Sequence, residues 1–101
     1  MNKITKILIE NRFITDSKKI QHIEFLKAQY GITTYCITID KRKIIAKMQN
    51  KKSQKLYFYE RMNSDLKENN LFHINILFRD ENVMLLEYID HNFLKLKPHH
   101  H

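Results

Sequence analysis

A chain of 101 residues with 43% apolar side chains has material for one small domain with one modest core. Its single cysteine, Cys36, excludes an internal disulfide, and no apolar run approaches the roughly 20 residues needed to span a bilayer. The net charge of +7 is equalled by residues 41–59 alone, where seven bases meet no acid. Residues 1–40 carry six bases against four acids, and residues 60–101 carry five against seven.

The chain has no long apolar run behind a basic start, so no signal peptide is expected, and a reducing cytoplasm is the natural setting. His99, His100 and His101 read as the remnant of a purification tag, leaving residues 1–98 as a single domain. With one glycine and one proline there is no linker, and no segment repeats.

Residues 3–14 are isoleucine-rich and fit a strand that opens a sheet, although Ile4, Ile7 and Leu8 also stand at helical spacing. The spacing predicts a helix over residues 17–30. Asp16 or Ser17 would cap it, and Ile20, Ile23, Leu26 and Tyr30 fall on one face. Lys18, Lys19, Gln21, His22 and Lys27 fall elsewhere, and Gly31 suits a left-handed C-cap. Ile32 to Ile39 is β-branched and aromatic, hence a strand.

Residues 40–43 form a turn, 44–49 a short strand, 50–53 a second turn, and 55–60 a third strand carrying Tyr57, Phe58 and Tyr59. The polar run 61–70 suits a short helix or a loop. Leu71 to Arg79 alternates, with Phe72, Ile74, Ile76 and Phe78 on one face, and Val83 to Asp90 returns beyond the turn at 80–82. The expected fold is α+β: a mostly antiparallel sheet with one main helix, about 17–30, packed on one face.

The basic block would then lie on two turns and the strand between them. Lys41, Arg42, Lys43, Lys47, Lys51, Lys52 and Lys55, with Tyr57 and Tyr59 beside them, are the candidate nucleic-acid contacts. Lysines bind phosphate and flat rings stack on bases, which favours RNA over duplex DNA. The same charge suits an acidic protein, and an exposed sheet edge suits a homodimer.

In the C-terminal hairpin, pairing through a three-residue turn sets Asn75 opposite Glu87 and places His73, Arg79, Glu87 and His91 on one face. These could supply a base, an acid and a phosphate clamp for metal-independent RNA cleavage. The plainer reading is a half-exposed sheet face. His22, His73 and His91 lack ligand spacing, so no metal is expected; with Gly31 alone there is no phosphate loop, and no cofactor is expected. Cys36 reads as a buried filler.

The run Leu71-Phe-His-Ile-Asn-Ile-Leu-Phe-Arg79, then Asp-Glu-Asn, then Val83-Met-Leu-Leu-Glu-Tyr-Ile89 resembles the C-terminal sheet of the RelE/HigB-type toxin superfamily. Those proteins are small basic ribonucleases of toxin–antitoxin systems. The resemblance covers roughly residues 56–97 and implies scrutiny of His73, Arg79 and His91, whereas two strands after the first helix depart from the family's paired helices. The leading expectation is a small nucleic-acid-binding protein, of a phage or mobile element. The alternatives are a ribonuclease toxin and a module that binds an acidic protein or dimerises.

Overall fold

Seven regular elements and one 3-10 turn make up the computed structural model, which describes residues 2–49 and 54–89. In chain order they are α1 (Asn2–Glu10), β1 (Ile20–Gln29), β2 (Ile32–Ile39), β3 (Arg42–Gln49), α2 (Lys55–Glu68), β4 (Ile76–Arg79) and β5 (Val83–Glu87). The strands form one antiparallel sheet in the order β1-β2-β3-β5-β4. The α+β class of the sequence reading therefore holds, but its helices stand elsewhere.

Residues 3–14 were expected to open the sheet, and most of them form α1. Ile4, Ile7 and Leu8 share one helical face and are buried against Ile37, Ile44, Ala46, Val83 and Leu85 of the sheet. The helix stops at Arg12, whose φ of 64° is left-handed. The Arg12 and Phe13 amides then turn back to the Ile9 and Leu8 carbonyls, at 3.1 and 2.9 Å. This is the paired C-terminal closure that satisfies otherwise orphaned carbonyls. The end of α2 repeats it at Asn70, with the Leu71 amide on the Leu66 carbonyl at 2.8 Å.

The expected helix at 17–30 is a strand. Asp16 does cap, accepting from the Lys18 amide at 2.8 Å, but it caps only the 3-10 turn Ser17–Lys19. Two bulges in β1, one between Ile20 and His22 and one between Phe25 and Lys27, explain the misreading. Each inserts an extra residue, so side chains three apart in sequence return to the same face. Ile20 and Ile23 thus both join the α1 side, and Glu24 and Lys27 both face the α2 side, opposite Cys36 and Thr34. Local spacing of three imitates a helix.

Gly31 caps no helix. Tyr30 and Gly31, at φ 56° and 79°, form a two-residue hairpin loop between β1 and β2. Asp40 and Lys41, at φ 47° and 68°, form a second one between β2 and β3. Two consecutive positive φ values give the turn whose twist matches that of paired strands. The predicted turn at 40–43 therefore contracts to two residues, and Arg42 and Lys43 begin β3.

Residues 55–60 were expected as a strand and form the first turns of α2. Aromatic residues lose only a few tenths of a kcal/mol in a helix relative to the better formers, so packing decides. Leu56 and Tyr59, three apart, meet Met84, Leu86, Ile45 and Ile76 on the sheet face opposite α1. Asn63 ties α2 to the chain entering β4, donating to the Ile74 carbonyl at 2.6 Å and accepting its amide at 2.9 Å. The sheet is thus covered on both faces. Val83, Met84, Leu85 and Leu86 are all buried, as an unalternating apolar strand requires. Among the described residues, no helix is long and apolar enough to cross a membrane.

Candidate nucleic-acid interface

Strand alternation sorts the basic block. Ile44 and Ala46 point into the α1 core, so Lys43, Ile45 and Lys47 point to the α2 side. The α2 helix covers that side over β5 and β4 and leaves the β1–β2 flank open. There the surface dips into a groove of about 490 Å³ lined by Glu24, Leu26, Lys27, Cys36, Lys43 and Tyr88, among others. The bulge in β1 delivers Lys27 to this groove, and the register of β2 sets Cys36 in its floor.

Three lysines each stand over a tyrosine ring. Lys43 Nζ lies 5.2 Å from the centre of the Tyr88 ring, and Lys47 Nζ 5.1 Å from that of Tyr59. Lys55 Nζ lies 5.5 Å from the centre of the Tyr30 ring and also donates to the Tyr30 carbonyl. Each ammonium is attracted by the ring's negative face, which holds a flexible lysine near an aromatic plane. The Lys47 ammonium has its pKa lowered, first by burial and then by the nearby charge of Lys27. Burial raises the pKa of the Tyr59 phenol.

Cys36 is buried, as the sequence suggested. Burial raises its thiol pKa; Lys43 acts in the opposite direction and Glu24 adds to the rise. A thiol so placed is a poor nucleophile at neutral pH.

The predicted contacts divide into groups. Lys41 and Arg42 sit exposed at the β2–β3 turn, where the Lys41 amide meets Gln21 Oε1 at 3.4 Å. Lys43, Lys47 and Lys55 belong to the tyrosine-paired set. Lys51 and Lys52 lie outside the described residues. Tyr57 and Tyr59 were expected on one strand face and are separated by the helix: Tyr59 packs inward, while Tyr57 is exposed with its ring centre 5.6 Å from that of Phe58. Among the described residues the block is therefore not one rim.

Of the proposed catalytic set, Arg79 and Glu87 stand on opposite sides of the sheet. A bulge between Ile76 and Phe78 shifts the register of β4 against β5. Arg79 consequently pairs with Met84 on the α2 side, 3.6 Å from Glu60. Glu87 sits three residues beyond Met84 and points to the opposite side, with Ile44 as its strand partner. Its carboxylate accepts from the Asn75 amide at 3.2 Å and from Asn75 Nδ2 at 3.3 Å, so the predicted Asn75–Glu87 pairing is present. His73 lies in the irregular run before β4, its Nδ1 at 3.1 Å from the Leu71 carbonyl. His91 lies outside the described residues.

Lys27, Tyr30 and Tyr88 were missed. Lys27 was assigned to a helix's polar side and Tyr30 to its apolar side. The signal that could have found them is the Tyr-Gly pair between two apolar segments, which suits a hairpin turn. Among the described residues no three His, Cys, Asp or Glu side chains are gathered to hold a metal. Comparison with protein-family models, curated proteins and solved structures finds no match to this chain.

Proposed function

We propose that this protein binds single-stranded RNA in the cytoplasm, across the sheet side that carries Lys27, Lys43, Lys47, Lys55 and Tyr88. The observation that carries the proposal is the pairing of lysine with tyrosine along that side, at Lys43–Tyr88, Lys47–Tyr59 and Lys55–Tyr30. Ammonium groups meet phosphates, and an exposed ring beside them accepts a splayed base, which is how single strands are held without a strict sequence code. Duplex DNA fits poorly, because its major groove admits a helix or a two-stranded ribbon rather than the face of a five-strand sheet. The groove beside Tyr88 has room for one base, with Lys43 and Lys27 at its border.

Fluorescence anisotropy with a labelled oligouridine, a DNA duplex of equal length and a polyglutamate peptide tests this. The oligouridine should bind tightest, and Tyr88→Ala should weaken it about tenfold, within the ~1–3 kcal/mol of a base–aromatic stack. Equal affinity for the duplex or for polyglutamate, or no binding at low salt, refutes it.

A further inference from the structure

The two edges of the sheet are unlike. The β4 edge is four residues long and runs directly into Asp80 and Glu81. A short edge beside acidic residues is protected against pairing with another chain. β1 is ten residues long, holds no proline or glycine, and is exposed at every residue from Glu24 to Gln29. Phe25 is 58% exposed and Leu26 45%, so the middle of this edge is apolar. Among the described residues, no strand pairs with its outer side.

We infer that the β1 edge pairs antiparallel with β1 of a second copy of this chain, making one continuous sheet through a two-fold dimer. The charge pattern selects that occupant. With the two-fold axis between Phe25 and Leu26, Glu24 of each copy lies across from Lys27 of the other. The bulge between Phe25 and Lys27 gives Glu24 and Lys27 the same face, so the two ion pairs form side by side on the groove side of the sheet. A bulge ordinarily blunts an edge; here it also makes the edge complementary to itself. Self-complementarity is what a two-fold interface demands. A different acidic or basic partner would leave one of the two charges facing its like. Lys27 also borders the proposed RNA side, so the mass is read in the absence of RNA.

Sedimentation equilibrium of the full chain tests it through a charge swap. The wild type should have the mass of two chains. Glu24→Lys sets lysine against lysine at both crossings, and Lys27→Glu sets glutamate against glutamate. Like charges directly opposite in paired strands repel, so each variant should dimerise at least about tenfold more weakly. An equimolar mixture of the two variants restores both opposite-charge crossings and should recover the dimer as a heterodimer. Both positions are exposed, and circular dichroism checks that the variants remain folded. A monomeric wild type, single variants that dimerise as well as wild type, or a mixture that stays monomeric overturns the inference.

Discussion

Replacing Lys43 by Gln removes one ammonium from the proposed RNA side without entering the core, since Lys43 is exposed and its strand neighbours Ile44 and Ala46 carry the packing. Neutralising a phosphate of a single strand contributes about −0.7 to the slope of log affinity against log salt. Four lysines, at 27, 43, 47 and 55, give a slope of about −2.8, so affinity for an oligouridine should fall about 50-fold between 50 and 200 mM salt. In Lys43→Gln the slope should relax to about −2.1, and the same change in salt should reduce affinity only about 20-fold. Anisotropy titrations at four or five salt concentrations give the slope directly. Lys67→Gln, an exposed position in the last turn of α2, serves as the control and should leave the slope at the wild-type value. A wild-type slope in Lys43→Gln, or an equal drop in Lys67→Gln, would show that the charge acts diffusely and refute the localised interface.

The remaining predictions concern the scaffold. Lys41→Gly should stabilise the protein by about 1 kcal/mol, because Lys41 holds a φ of 68° that costs a side-chain-bearing residue roughly that much. Thermal unfolding should show a rise of about 4–8 °C, and a fall would contradict the turn assignment. Leu56→Ala should destabilise by about 2–5 kcal/mol, measured by urea titration, because Leu56 is fully buried between α2 and the sheet. A loss below about 1 kcal/mol would mean that α2 is not anchored there. The Tyr59 phenol is raised above its ordinary value by burial, so its contribution is intact below about pH 10 and is lost as pH rises through the native value. Tyr59→Phe should accordingly show a shallower alkaline loss of stability than wild type; identical curves would place the phenol in water.

The elements whose local chemistry agreed with their tertiary setting were legible. β2 is β-branched along its length, and its alternate residues meet the α1 core, so propensity and packing agreed. The expected Asn75–Glu87 pairing is present although Arg79 pairs with Met84 rather than Val83, because the bulge between Ile76 and Phe78 restores the expected register. The misplaced elements failed for nameable reasons. β1 carries bulges that return a face every third residue, and an edge strand with little burial leaves no alternation to read. Residues 55–60 combine aromatics that suit strand or helix, and only the sheet face against Leu56 and Tyr59 selected the helix. Arg79 and Glu87 were expected on one face and are separated by one extra residue in β4, because a shift of one residue carries every following side chain to the other side.

The sequence by itself determined that the chain is a small α+β domain whose positive charge is concentrated in residues 41–59. It also marked Cys36 as buried, which follows from residue type. Which lysines stand together was decided only by the tertiary structure. Lys27 and Lys43 lie sixteen positions apart in the chain and border one groove because β1, β2 and β3 pair in a particular register. Register arises from hydrogen bonds and burial summed over whole strands, and no local run of residues contains that sum.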